Sequence, residues 1–403
     1  MSKRLTCDVV VIGAGMVGAA CALYLARAGL ATLVLDRGPV AGGTTGAGEG
    51  NLLVSDKEPG PELDLALLSA RLWHDLAAER GIGGAVEFEA KGGIVVASDA
   101  AGMAALTGFA AGQRTAGVAA EIVDSTQLHD LEPHLAPDLA GGVRYPQDCQ
   151  VMPSLAAAHV VRAARRAGAE LCTGATVTDI LRAPDGLVRG VRTAGHGDIH
   201  APAVVNAAGT WGGEVAALAG VRLPVLPRRG FVLVTEPLPP GTVRHKVYAA
   251  DYVADVASGD AGLQSSAVVE STAAGPVLIG ASRERVGFDR TFSLPVVRRL
   301  AAQATALFPL LGTVHAMRAY LGFRPYLPDH LPAIGADPRA PGLHHACGHE
   351  GAGIGLAVGT GHLIAQSLTG RTPDLDLAPF RPDRFEEKFE EKKFEEKKET
   401  GQR

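Results

Sequence analysis

The stretch Cys7–Asp36, CDVVVIGAGMVGAACALYLARAGLATLVLD, decides the fold. Cys7–Ile12 is a short β-branched run of the kind that fills a strand buried on both faces of a parallel sheet. Gly15–Ala28 alternates small and large apolar residues at helical spacing and stops at Gly29, and Thr32–Leu35 is a second apolar run ending at Asp36. Strand, helix and strand within about 30 residues make a βαβ unit. Its first turn holds Gly13, Gly15 and Gly18 at G-x-G-x-x-G spacing, with Ala14, Met16 and Val17 between them. The first glycine permits the tight turn and the second lets backbone approach a pyrophosphate. The third lets helix and strand pack closely, and the helix N-terminus offers free N–H donors and a positive dipole. Asp36 follows Gly18 by 18 positions. There a carboxylate accepts hydrogen bonds from a ribose, and a 2′-phosphate would meet like charge. The unit is a dinucleotide site.

Outward from it, the 403 residues contain 47% hydrophobic and 20% charged residues, which suits a sizeable core and about two domains. The 51 glycines cluster in particular stretches, and so mark tight loops. A net charge of −5 without a basic stripe argues against a nucleic-acid partner. Cys7, Cys21, Cys149, Cys172 and Cys347 lie far apart and are odd in number. This points to a reducing, cytoplasmic setting, with no metal site and no iron–sulfur centre of the chain's own. No apolar run approaches the roughly 20 residues of a membrane span. Lys3 and Arg4 precede an apolar run as in a signal peptide, but Asp8 and the glycines interrupt it.

Parallel α/β character opens the chain, returns near 141–220 and returns again after 319, with antiparallel character between. Helices are expected at 63–80, 154–168 and 294–308, and antiparallel strands at 86–96 and after Pro224. The expected fold is a Rossmann-type α/β cofactor domain of residues 1–85, 141–220 and 319–385, with an inserted antiparallel-sheet substrate domain of 86–140 and 221–318. From Phe385 the sequence becomes FEEKFEEKKFEEKK, so 386–403 reads as a charged, frayed or disordered tail.

A nicotinamide enzyme completes its cofactor site within one doubly wound sheet, whereas FAD needs a second backbone lining for its ring. Gly348–Gly361, GHEGAGIGLAVGTG, is such a lining, a glycine-rich turn opening a helix. The helix dipole at that turn suits the negative charge of reduced flavin.

At this point the residues carry a family resemblance. The blocks VVVIGAGMVGAACALYLARAG (9–29), GGTTGAGEGN (42–51), VVNAAGTWGGEV (204–215) and YLGFRPYLPDHLPAIG (320–335), leading into ACGHEGAGIGLAVGTG, occur in order. The chain resembles the D-amino-acid oxidase superfamily of FAD proteins. The branch it resembles holds glycine oxidase, sarcosine oxidase, hydrogen cyanide synthase and the flavin subunits of opine and hydroxyproline dehydrogenases.

The resemblance implies FAD contacts from Met16, Val17, Asp36, Arg37, Thr44, Thr45, Glu49, Gly50 and Asn51. It implies further contacts from Val177, from Ala208 and Gly209, and from His349, Glu350, Gly351, Ala352, Gly353, Ile354 and Gly355. It places Arg324, in Gly-Phe-Arg-Pro, as the clamp on a substrate carboxylate, a role suited to a permanently charged, bidentate guanidinium. The competing reading is a structural ion pair of Arg324 with Asp329 or another acid. Tyr248, Tyr252, Tyr320 and Tyr326 are candidates to close the pocket, Tyr252 foremost. Glu49 is the candidate for handling an amine proton, and His349 the other titratable group at the ring.

This chain has Gly351 where glycine oxidase has an arginine, which implies a roomier substrate pocket. Where monomeric sarcosine oxidase links its flavin to a cysteine, this chain has Leu321 and Gly322, which implies non-covalent FAD. The implied reaction is oxidation of the C–N bond of a small amino acid or secondary-amine acid. The electrons then pass to O₂ or to an electron-accepting partner subunit; the remaining alternative is a non-catalytic flavin-binding subunit.

Overall fold

The computed structural model describes residues 5–253 and 258–386, so the 386–403 tail lies, apart from Glu386, outside the described residues. The Val9–Ile12 strand is wholly buried, and alternation along it divides two cores. Val9 and Val11 face a core that includes the Met16–Arg27 helix. Val10 and Ile12 face the opposite core, shared with Ile180, Val188, Val191 and Ile199. A strand apolar at every position is what two covered faces demand.

Val9–Ile12 lies inside a six-stranded sheet ordered Ala333–Ala336, Leu343–Cys347, Ala203–Asn206, Val9–Ile12, Thr32–Asp36, Glu170–Thr173. Its pairs are parallel except the first. The helices Met16–Arg27, Pro153–Arg166 and Gly353–Leu368 cover one face. Gly361 allows the first and last of these to touch, because a Cβ there would run into the backbone of Ala20 and Cys21. A four-stranded sheet, Leu5–Thr6, Gly197–His200, Val188–Thr193 and Val177–Arg182, covers the other face. The sheet is pinned at its end by a buried polar relay. Asn206 Nδ2 lies 3.1 Å from His345 Nδ1, and His345 Nε2 lies 3.1 Å from Asp337 Oδ2.

The second layer is an eight-stranded sheet ordered Ala316–Tyr326, Leu226–Pro237, Pro276–Arg283, Gln264–Ser271, Lys246–Ala249, Gly93–Ala97, Gly141–Tyr145, Glu121–Asp124. The Leu294–Leu307 helix packs on it through Val296, Val297, Leu300 and Ala304. The architecture is thus a Rossmann-type cofactor domain carrying an inserted, largely antiparallel sheet.

Three details differ from the sequence reading. One pair in the large sheet, Lys246–Ala249 with Gly93–Ala97, is parallel. Gly141–Tyr145 and Ala316–Tyr326 are hydrogen-bonded into the large sheet, so the chain's two returns to the cofactor layer fall inside segments drawn as cofactor domain. Between 86 and 140 the chain forms helices Ala100–Thr115 and Ser125–Leu131 as well as strands. Their signals were local. Asp99 accepts from Gly102 N–H at 2.7 Å, and Asp124 with Gln127 makes a reciprocal capping box.

Candidate cofactor and substrate site

The turn after Val9–Ile12 is built around its glycines. Gly13 has φ +114°, and a Cβ on it would meet the Ala207 carbonyl; a Cβ on Gly18 would meet the carbonyl of Gly13. The third glycine therefore serves the turn itself as much as the helix packing. From this turn a cleft of about 450 Å³ runs across the molecule to the Gly348–Gly353 turn.

Of the residues expected at the cofactor, Gly13, Gly15, Met16, Val17, Asp36, Arg37, Thr44, Thr45, Glu49, Gly50, Asn51 and Val177 line this cleft. So do Ala208, Gly209, His349, Glu350, Gly351, Gly353 and Ile354. Ala14, Gly18, Ala352 and Gly355 do not; Gly18 packs behind the turn against Gly13, and Gly355 against the Asn51–Leu53 backbone.

The polar groups along the cleft have definite partners. Asp36 accepts from the N–H groups of Ala14 at 2.7 Å and Gly38 at 2.8 Å, which holds its carboxylate at the mouth of the glycine turn. Thr45 Oγ1 accepts from Met16 N–H at 3.0 Å. Thr44 donates to the Phe323 carbonyl at 2.7 Å, so its hydroxyl proton is committed within the protein. Arg37 lies 4.2 Å over the Trp211 ring, which in turn stacks on Phe288. Trp211, Gly230, Val232 and Phe323 line the cleft without having been named from sequence. Trp211 and Phe323 stood within recognised blocks; Gly230 and Val232 carried no signal, because their neighbours come from strands remote in sequence.

At the far end the glycine-rich turn presents backbone and one histidine. Its helix, Gly353–Leu368, has no side-chain cap, which leaves N–H groups for an anionic edge. His349 is buried, its Nε2 3.0 Å from Thr360 Oγ1, and burial pushes its pKa down to about 3. It is therefore a neutral hydrogen-bonding group at working pH. Glu350 turns its carboxylate away, bonding Arg228 and, at 2.9 Å, His330 Nδ1. Two buried oxygens here, Glu49 Oε1 and Asn51 Oδ1, have no hydrogen-bond partner among the described residues. A buried acceptor left alone costs about 1–3 kcal/mol. Orphaned acceptors in a glycine-lined cleft with two open helix N-termini fit a long, hydroxyl-bearing dinucleotide.

Beside this end lies an annex of about 270 Å³, and Arg324, Tyr252 and His349 line both spaces. Arg324 reaches there because Gly230, on the adjacent strand, leaves room for its guanidinium, which donates to the Ser282 carbonyl at 2.8 Å. Burial first, then the charge of Arg283, hold its pKa below the usual arginine value. Asp329, the acid nearest in sequence, is bound instead by Arg384 at 2.7 Å. Among the described residues no carboxylate pairs with Arg324. Of the four tyrosines, Tyr252 faces the site. Tyr248 is buried and bonded to Ser55, Tyr320 reaches the Gly48 carbonyl at 3.4 Å, and Tyr326 packs on His330.

Residues 8–367 match the DAO family, described as FAD dependent oxidoreductase. The chain is 32% identical to the glycine oxidase of Geobacillus kaustophilus, covering 93% of this chain and 96% of that one. It is 29% identical to hydrogen cyanide synthase subunit HcnC of Pseudomonas aeruginosa, covering 94% and 97%. The crystal structure of the Geobacillus kaustophilus glycine oxidase superposes with a TM-score of 0.84 at 29% identity, over 94% of this chain and 99% of that one. The L-proline dehydrogenase of P. horikoshii shares the fold, with a TM-score of 0.86 at 23% identity over 96% and 99%. Glycine turn, the Asp36 carboxylate at its mouth, the second glycine-rich lining and these likenesses converge, and the chain belongs to the DAO family of FAD-dependent oxidoreductases.

Proposed function

We propose that the protein oxidises the C–N bond of a small amino acid or secondary-amine acid whose carboxylate is held by Arg324. The observation that carries this reading is a half-buried guanidinium that has no acid partner among the described residues, set where the flavin cleft meets the annex. A charge drawn partly out of water without a partner carries a desolvation cost, and a bidentate carboxylate relieves it with charge-assisted hydrogen bonds. When bound, FAD supplies a two-electron hydride acceptor. The chain's own residues then position the substrate: Arg324 fixes the carboxylate, Tyr252 walls the pocket and the 348–353 turn sets the ring. The Cα–H bond breaks with its electron pair leaving as hydride, C–N becomes C=N, and water converts the imine to a 2-oxo acid and an amine. Glu49, which lines the same cleft and has an oxygen without a partner among the described residues, is the candidate acceptor of a proton from the substrate nitrogen.

FAD is proposed to be held without a covalent bond. Cys347 is the only one of the five cysteines that lines the cleft. Burial pushes its pKa up to about 12, which keeps it a thiol and not a nucleophilic thiolate. Arg324→Ala is expected to raise KM for the substrate by a few kcal/mol in binding terms, with the flavin spectrum unchanged. Arg324→Lys should restore only part of this. Equal loss with a decarboxylated amine would show that Arg324 is structural.

A second reading concerns the electron acceptor. The likeness to a hydrogen cyanide synthase subunit supports a flavin subunit that passes electrons to a partner instead of O₂. Peroxide production by the isolated chain separates the two readings. Among the described residues no helix is long and apolar enough to cross a membrane.

A further inference from the structure

Behind the second glycine-rich lining lies a set of contacts that the reading above does not use. The Pro61–Ala78 helix packs against the Gly353–Leu368 helix through Leu65, Ser69 and Trp73, which are spaced four apart and so share one face. All three are buried. Gly359 permits the approach, because a Cβ on it would stand 3.1 Å from both Leu65 Cδ1 and Ser69 Cβ.

Two polar side chains of that face reach the first turn of the opposite helix. The Trp73 Nε1–H is shared between the carbonyls of Ile354, at 3.2 Å, and Gly355, at 3.1 Å. Ser69 Oγ donates to the Gly355 carbonyl at 2.5 Å and accepts from the Gly359 N–H at 3.0 Å. Those two backbone groups are the pair that an α-helix ordinarily joins to each other, the N–H of one residue to the carbonyl four before it. A hydroxyl therefore stands in the ladder, where an inserted side chain bends or opens a helix. Two donors from the neighbouring helix engage the two lone pairs of the Gly355 carbonyl.

Packing alone does not call for this. An apolar residue such as Leu65 serves a helix contact without bringing in a buried N–H or hydroxyl, which is costly unless bonded. Here both polar groups are spent on one turn, and that turn stands at the cofactor cleft. Gly353 and Ile354 line the cleft. Among the described residues the N–H groups of Gly353, Ile354 and Gly355 donate to no backbone carbonyl, the ladder starting at Leu356, bonded to Ala352 at 2.9 Å. On its other side Gly355 meets the Asn51–Leu53 backbone, so the turn is gripped from both sides. A donor on a peptide carbonyl also polarises that peptide, and the Ile354 carbonyl belongs to the same peptide unit as the Gly355 N–H.

We infer that Ser69 and Trp73 are positioning residues for FAD. They act through the carbonyls of Ile354 and Gly355, hold the first turn of Gly353–Leu368 in place at the cleft, and so raise the reduction potential of the bound flavin. The positive end of a helix favours the negative charge that reduction places on the ring. Without the two donors the Gly359 N–H and the Gly355 carbonyl close on each other, and the turn shifts relative to the cleft. The inference needs only the FAD site and stands whether or not Arg324 clamps a carboxylate.

The test is the reduction potential of the bound flavin, read from its absorbance against a reference dye. FAD affinity and melting temperature are measured on the same flavin-loaded proteins. Ser69→Ala, which removes the hydroxyl and little volume, is expected to favour reduced over oxidised flavin at least tenfold less than wild type does. For two electrons that is a fall of about 30 mV. Trp73→Phe should lower the potential too, and the double variant should lower it by less than the sum, because both side chains act on one carbonyl. Leu65→Ala is the control: it opens the same face without removing a hydrogen bond, and should lower the melting temperature with the potential unchanged. A wild-type potential in either Ser69→Ala or Trp73→Phe overturns the inference, whatever the melting temperature does. So does a Leu65→Ala shift as large as that of Ser69→Ala, which would make the effect a general loosening of the helix contact. If Trp73→Phe fails to hold flavin, Ser69→Ala and Leu65→Ala still decide.

Discussion

His349 shows how burial assigns a role at the scale of one residue. From sequence it was a titratable group at the ring, but the side chain is buried against Thr360 and its pKa falls from 6.5 to about 3. Between those values the unfolded chain binds a proton that the folded chain does not, so this residue's contribution to stability is lost as pH falls below about 6.5. Asp148 and Glu270 act in the opposite sense. Burial raises them to about 6 and about 7, so the folded form keeps protons that the unfolded chain sheds, and their contribution is lost as pH rises. A pH–stability curve of the wild type therefore mixes signs, and the substitution isolates one of them. His349→Gln should lose less stability than wild type between pH 7 and pH 5. The difference is about 2 kcal/mol, from roughly 1.5 pH units below the unfolded pKa at 1.36 kcal/mol per unit. Parallel urea titrations of the flavin-loaded proteins at the two pH values measure it; identical pH dependence would mean that His349 is protonated in the folded state. The place of Arg324 at the far end of the cleft was legible because its four-residue context is specific, whereas the nearness of Arg283 to Tyr252 was not, because it arises from contacts between strands.

At the scale of elements, the glycine turn and its flanks were readable because every restraint there is local: a β-branched strand, glycines at fixed spacing, a small-residue helix and an acid at the next strand end. The structure adds that Gly18 packs on the Gly13 carbonyl, so Gly18→Ala must displace the turn that faces the cofactor. Overpacking of this kind costs about 1–3 kcal/mol. It should appear as lower FAD affinity in a fluorescence titration, accompanied by a lower melting temperature. Gly29→Ala, where a Cβ has nothing within 4 Å but φ is +85°, is the comparison that shows strain alone. If both variants bind FAD as wild type does, the turn is not set by its glycines. The helices Ala100–Thr115 and Ser125–Leu131 were missed although their caps stood in the sequence at Asp99 and Asp124.

At the scale of the whole molecule, the two layers divide the work. The parallel sheet carries the glycine turn of the cleft, and the eight-stranded sheet brings Arg324 and Gly230 to the far end of the cleft, and Arg283 to the annex, from separate strands. Alternation of parallel and antiparallel character revealed that division, but not where the chain crosses. Gly141–Tyr145 and Ala316–Tyr326 belong to the large sheet, and strand pairing so distant in sequence leaves no local mark. The central claim is that this second layer delivers a carboxylate-bearing amine to the flavin. Its most direct test is anaerobic mixing of the flavin-loaded protein with amino and imino acids and with their decarboxylated counterparts, following the oxidised flavin absorbance. The account predicts rapid bleaching by at least one acid, slow or no bleaching by the matching amine, and loss of that preference in Arg324→Ala. Bleaching by the amine as fast as by its acid, with the preference unchanged in the variant, would contradict it.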